Sequence, residues 1–143
     1  MNKEKNTSLF TQVDCIRVPV DNLEEGLKVY RDKLGHKLIW RTEDSAGLKM
    51  GSDSTELVLY TEKNGLEIDF KVNSVEEALD KFVKAGGRVL TEPFEIKVGK
   101  CAEVKDPWNN RYILLDLSKG VLKTDLERNV IENVKDGEKP NKK

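Results

Sequence analysis

The sequence predicts an α+β fold: two tandem βαβββ modules whose mixed sheets form a concave cleft, followed by a short C-terminal helix. The first observation behind this is an internal repeat. The stretch from Cys15 to Leu27 returns from Glu67 to Leu79, a constant displacement of 52 residues (67 minus 15), pairing Ile16 with Ile68, Val20 with Val72, Glu24 with Glu76 and Gly35 with Gly87. A fixed displacement held across that many positions indicates a duplication. The second is that the hydrophobic period changes from two to 3.6 inside each copy, a strand pattern running into a helix pattern. The third is that strand-like runs divided by turn clusters follow each helix.

Residues 1–9 are polar and read as a flexible arm, and residues 10–118 as one domain with modules over about 12–62 and 64–118. From Val13, the residues Ile16, Val18 and Val20 share one face of a strand, with Cys15, Arg17 and Pro19 on the other. Asn22 is placed to cap a helix with Glu25 as its reciprocal partner, Leu23, Leu27, Tyr30 and Leu34 follow at helical spacing, and Gly35 ends it. Three strands follow, Leu38 to Trp40, Ala46 to Met50 and Glu56 to Tyr60.

The second module repeats the plan. Ile68, Phe70 and Val72 face one way and Glu67, Asp69 and Lys71 the other, then Ser74 and Glu77 cap a helix buried through Val75, Ala78, Leu79, Phe82 and Val83. Gly86-Gly87 stops it, Val89-Leu90 begins a strand, and Lys100 to Lys105 with Arg111 to Leu117 form a hairpin about Asp106-Pro107-Trp108-Asn109-Asn110. In the extension, 119–143, Thr124 with Glu127 reads as a capping box, with Leu126, Val130 and Val134 on one helix face, Gly137 as the stop and a disordered end. That helix has three possible places: the free sheet face, a partner subunit, or no contact at all.

Composition narrows the function classes. The net charge is −1 with 36% charged residues of mixed sign and no basic stripe interleaved with aromatics, which argues against nucleic acid. No apolar run approaches a membrane span, and the first residues lack a signal peptide's apolar core, so a cytoplasmic protein is expected. Cys15 and Cys101 then read as free thiols, a disulfide between them being without support from sequence alone.

Tandem βαβββ modules with Asp106-Pro107 ahead of the last strand resemble the vicinal oxygen chelate superfamily, which includes glyoxalase I, extradiol dioxygenases, fosfomycin resistance enzymes and bleomycin-resistance binding proteins. The likeness runs from about Gln12 to Leu117. It implies a homodimer, a cleft closed within one chain or by module exchange, and a ligand site on the concave face. Metal-dependent members carry His on the first strand and Glu on the last strand of each module. Those positions here are Cys15 and Glu67, then Val58 in Glu-Leu-Val-Leu-Tyr and Ile113 in Asp-Pro-Trp-Asn-Asn-Arg-Tyr-Ile-Leu. Two aliphatic side chains leave too few ligands for a catalytic metal.

The leading expectation is therefore a metal-free protein, with no cofactor, that binds or sequesters a small molecule. Cys15, Arg17, Val58, Tyr60, Glu67, Asp69, Lys71, Glu103 and Ile113, with Leu115, would line the site, an apolar floor with a few convergent polar groups. A solvated sheet face with paired charges has the same composition. The alternative is a metal-assisted lyase, isomerase or dioxygenase using Cys15 and Glu67 with Asp69 or Cys101 as a displaced third ligand. A structural or regulatory module that uses the tail helix is the third possibility. Cys15 as a nucleophile lacks a visible base, and a half-buried thiol accounts for it. His36, the only histidine, is expected at the surface past a helix end. Trp108 either lines a groove mouth or packs on its own hairpin. The 16 basic and 20 acidic residues over 8–118 give too mild an acidity to argue for a strongly cationic ligand.

Overall fold

The computed structural model describes residues 8–62 and 64–134; most of the expected arm (1–7) and the disordered end with Gly137 (135–143) lie outside them. The first module comprises β1 (Gln12–Pro19), α1 (Leu23–Leu27), β2 (Leu38–Arg41), β3 (Ser45–Lys49) and β4 (Glu56–Tyr60). The second comprises β5 (Glu67–Lys71), α2 (Val75–Lys84), β6 (Arg88–Val89), β7 (Phe94–Ile96), β8 (Gly99–Lys105) and β9 (Arg111–Leu115). They join into one nine-stranded sheet in the order β2-β3-β4-β1-β5-β9-β8-β6, with β7 also on β8. β1 runs parallel to β4 and β5 parallel to β9, and the modules meet where β1 pairs antiparallel with β5. The mixed α+β architecture expected from the repeat is formed, and one chain supplies the whole cleft floor.

Alternation decides which face each residue serves. Leu57 and Leu59 of β4 turn to the convex face, where they pack with Leu23 and Leu27 of α1 and with Ala46 and Leu48 of β3. Ala102, Val104 and Leu114 do the same beneath Val75, Ala78, Leu79 and Phe82 of α2. Burial of these apolar stripes is what holds short helices in place, since neither is long enough to be stable alone. The N-terminal segment joins this core: Phe10 stacks on Phe70 with ring centroids 4.1 Å apart, and Leu9 packs nearby.

Both helix starts follow the caps in the sequence. Asn22 Oδ1 accepts from the Glu25 amide at 3.0 Å and Ser74 Oγ from the Glu77 amide at 3.3 Å. The first helix does not continue as a plain α-helix. Lys28–Lys33 is a π-helical segment, with the Leu34 amide donating to the Val29 carbonyl at 2.9 Å. The wider turn rotates the later residues off the apolar stripe, so Leu34 is 58% exposed although its spacing placed it in the core. Val83 on α2 is likewise exposed rather than buried.

The C-terminal helix is not formed. Val121–Thr124 (β10) and Val130–Val134 (β11) pair antiparallel as a separate hairpin. The residues taken for a capping box build its turn. Asp125, one residue past Thr124, accepts from the amides of Glu127 and Asn129, both at 2.9 Å, and Arg128 adopts φ 71°. Val121, Val130 and Ile131 are β-branched, and this bias toward extended backbone outweighed a weak helical period. The hairpin is tied back to the first module, the Arg41 amide donating to the Arg128 carbonyl at 2.8 Å beside an Arg41–Asn129 bridge.

Candidate functional site

The antiparallel junction sets the geometry of the cleft. Cys15 faces Asp69 across it and Arg17 faces Glu67, while Val58 lies opposite Arg17 on β4 and Ile113 opposite Asp69 on β9. Under the internal repeat, Cys15 corresponds to Glu67 and Arg17 to Asp69, so the floor is a square of four polar positions about a pseudo-twofold axis. A bulge between Val13 and Cys15 adds Asp14 to the rim.

A cavity of about 460 Å³ lies between this floor and the C-terminal hairpin. Cys15, Arg17, Val58, Asp69 and Leu115 belong to its floor, while Leu122, Thr124 and Arg128 of the hairpin close it from above. One wall is acidic and aromatic, with Asp14, Trp40 and Glu56, and the opposite wall is apolar, with Ile96, Val98 and Leu117. Trp40 lies against the bare backbone of Gly47, where a Cβ would stand 2.1 Å from the indole Nε1. That Nε1–H donates to Glu56 Oε1 at 2.8 Å.

The other expected residues sit in a charge chain beside the cavity. Glu67, 9% exposed, reaches Arg17 Nε and Arg111 Nη2, each at 3.5 Å, and Arg111 also pairs with Glu103. The Arg17 guanidinium carbon stands 4.4 Å from the centroid of the buried Tyr60 ring, whose hydroxyl donates to the Gly65 carbonyl. Ile113 packs with Cys101 and Leu115 in a small apolar cluster on the same face. Lys71 stands apart, opposite Leu115, and its charge is felt at Asp14. The structure thus brings Cys15, Arg17, Val58 and Asp69 into the cavity and leaves Tyr60, Glu67, Glu103 and Ile113 as its support.

Electrostatics separates the two groups. Asp69 is 6% exposed, and burial with the adjacent Glu67 pushes its carboxyl up to about 9, against the opposing pull of Arg17. Burial also raises Asp14 and Glu56. Cys15 is driven far above the ordinary thiol range by burial and by Asp69 and Asp14, and burial pushes Cys101 up to about 12. Neither sulfur is a thiolate near neutral pH, which removes the basis for a Cys15 nucleophile.

The donor set does not fit the metal that the fold family implies. Val58 and Ile113 hold no donor, Glu67 is engaged by two arginines, and the Cys15 thiol resists the ionisation a metal ligand needs. Among the described residues no group of three or more His, Cys, Asp or Glu side chains converges on a point where an ion would bind.

Sequence reading missed Asp14, Glu56 and Arg111. Glu56 and Arg111 were legible, since each lies two residues before a position already assigned to the floor, Val58 and Ile113. Asp14 was not, because nothing local announces the bulge that turns it toward the cleft. Trp108 is 78% exposed and is not among the residues lining this cavity. His36 is part-exposed past its helix end, with Nδ1 3.0 Å from the Lys49 carbonyl.

Comparison with known proteins agrees with this fold. A methylmalonyl-CoA epimerase from Mycobacterium tuberculosis superposes with a TM-score of 0.68 at 17% identity, covering 79% of this chain and 92% of that one. The 2,3-dioxygenase LapB from Pseudomonas sp. KL28 gives 0.58 at 22% identity, over 75% of this chain and 42% of that one. A Legionella pneumophila protein described as an NAD-dependent benzaldehyde dehydrogenase gives 0.61 at 20% identity, over 72% and 97%. At such identities the likeness is one of fold. No curated protein sequence matches. The model of the glyoxalase/bleomycin resistance protein/dioxygenase superfamily matches residues 12–114, and the chain belongs to that superfamily.

Proposed function

We propose that the protein binds or sequesters a small molecule without a metal, in the cavity between the concave sheet face and the C-terminal hairpin. The observation that carries this reading is the roofed cavity of about 460 Å³, inside the range of small-molecule sites, over a floor whose metal positions include Val58 and Ile113. Cys15, Arg17, Val58 and Asp69 contact the ligand in this reading, while Glu67 and Tyr60 hold Arg17 in place. The competing reading, a metal-assisted enzyme using Cys15 and Glu67, requires Glu67 to leave both arginines. The homodimer remains part of the proposal although the cleft floor needs no second chain, and light scattering reads it directly.

The test is metal retention together with a cavity block. After incubation with Zn, Ni, Mn or Fe(II) and desalting, the protein is expected to keep no stoichiometric metal. Small molecules that raise the melting temperature are expected to lose their effect in Val58→Trp, which fills the cavity. Near-stoichiometric metal that disappears in Cys15→Ala/Glu67→Ala would overturn the proposal.

A further inference from the structure

We infer that the C-terminal hairpin is a hinged strap, fixed at its root beside β7 and latched at its tip to Arg41 of β2, which opens at the latch to let a small molecule into the cavity. This rests on the reading of the cavity as the binding site and goes further by assigning how that site is entered.

The hairpin crosses the mouth from one wall to the other, and its two ends are held unequally. At the root, the buried Asp116 carboxylate accepts from the Ser118 hydroxyl at 2.7 Å, the Ser118 amide at 3.2 Å and the Lys100 amide at 3.1 Å. Lys119 follows, its amide donating to the Val98 carbonyl at 2.8 Å and its ammonium to the Ile96 carbonyl at 3.3 Å and to the Glu95 carboxylate. Main-chain and side-chain bonds thus tie residues 118 and 119 to β7, β8 and the link between them. At the tip, the Arg41 amide donates to the Arg128 carbonyl at 2.8 Å, beside the Arg41–Asn129 bridge.

That latch is built on an edge. β2 ends the nine-stranded sheet, so the amide it offers to the hairpin is one that water would otherwise meet. Exchanging the strap for water there is close to balanced, because a hydrogen bond contributes little net once water replaces it. The floor and walls offer no comparable exit. Trp40, Glu56, Val58 and Leu115 stand on strands paired within the nine-stranded sheet, and moving them breaks its ladder.

The joint lies between root and strand. Gly120 has φ 97°, in the left-handed region that glycine occupies without strain. From there Gly120, Leu122 and Thr124 alternate along the cavity side of β10. The register slips between Lys123 and Thr124, a bulge that bends the hairpin on the way to its tip. Leu122 is the one large apolar side chain that the hairpin brings to the lining among the described residues, and Leu126 at the turn is 91% exposed. Apolar burial therefore adds little to the latch, and the strap gives way at the tip before the root.

Cys15 reports the opening without any ligand. It lines the floor under the strap, 5% exposed, whereas Cys101, 6% exposed, packs with Ile113 and Leu115 outside the lining. Burial holds both thiols un-ionised, so alkylation by N-ethylmaleimide reads how often solvent reaches each. The readout is the ratio of the Cys15 rate to the Cys101 rate, which global unfolding leaves unchanged. Bridge partners on adjacent strands lie within disulfide span, so oxidised Arg41→Cys/Asn129→Cys closes the latch covalently, with Arg41→Ser/Asn129→Ser as its unlinked control. Locking is expected to lower the ratio at least about tenfold against that control. Asp125→Ala loosens the turn that aims the Arg128 carbonyl and is expected to raise the ratio about threefold or more; it carries the test alone should the disulfide not form. A ratio unmoved by the lock, or by Asp125→Ala, overturns the strap, and so do two rates that shift together. None of these outcomes involves a ligand, so they stand apart from the Val58→Trp block, whose failure sinks the binding reading alone.

Discussion

On the second-module side of the cleft, Glu67 and Glu103 are tied to Arg17 and Arg111; on the first-module side, Asp14 and Glu56 line the cavity with no ion pair among the described residues. The positions are related by the internal repeat. Glu56, two residues before Val58, corresponds to Arg111, two before Ile113, because Val58 lies beside Arg17 as Ile113 lies beside Asp69; the displacement here is 55 residues (111 minus 56) rather than 52. One duplicated plan therefore supplies a closed charge network in one half and, in the other, carboxyls without an ion pair among the described residues. The paired half fixes the floor, and the unpaired half leaves chemical work for a ligand. Asp69 joins them, buried beside Glu67 at the edge of the network and lining the cavity.

The sharpest way to break this comparison is to unpair the closed half. Glu67→Ala leaves two arginines without their shared partner. Loss of one member of a buried pair costs about 3 kcal/mol at the low end of the usual range, and the low end applies because both arginines are about a third exposed. Urea unfolding should read that loss, whereas Glu56→Gln, in the open half, should change stability by less than about 1 kcal/mol.

A second variant sharpens the comparison through pH. Folding raises the Asp69 carboxyl from the ordinary range near 4 to about 9, so between those values the folded state holds a proton that the unfolded state has lost. Stability contributed by that proton is complete below pH 4 and declines as pH rises toward 9. Asp69→Asn keeps the shape of the neutral acid and cannot ionise. Its melting temperature is expected to match wild type near pH 4 and to exceed it by a margin that widens steadily, to about 10 °C or more near pH 8. Wild type and variant falling in parallel with pH would show that Asp69 is ionised in the fold.

Much of this was legible in the sequence. The repeat, the two caps and the alternation of β1, β4 and β5 assigned residues to the convex core or the concave floor, because burial on one face leaves a strict period of two. The π-helical turn was not legible, since Leu34 keeps helical spacing and only tertiary packing rotates it outward. The hairpin over the cavity was misread for a different reason. Thr124 and Glu127 match a capping box as well as they match the flanks of a turn, and local chemistry cannot separate the two when the apolar period is short. The cavity itself depends on that hairpin, so its roof was invisible while its floor was not.

The twin turns test this reading with the smallest expected effect. Asp106 and Asn110 between β8 and β9 use the same design as Asp125 and Asn129 between β10 and β11. In each, the Asp amide donates to the Asn carbonyl at 2.9 Å, the Asp carboxylate accepts from the amides two and four residues on, and the fourth residue has positive φ, 72° at Asn109 and 71° at Arg128. Only the first was read as a turn from sequence, its Pro107 having excluded a helix interior. Asp106→Ala and Asp125→Ala remove the same bonds, worth about 1–2 kcal/mol together. The β8–β9 pair lies within the nine-stranded sheet, so Asp106→Ala should lower global stability by that amount. The second hairpin is attached through Arg41 and stands outside that sheet, so Asp125→Ala should leave global unfolding within about 0.5 kcal/mol of wild type. Its effect should appear instead as faster hydrogen exchange at the Arg41 amide and across β10 and β11. Equal global losses in the two variants would mean that the roof unfolds together with the floor and is no separate element.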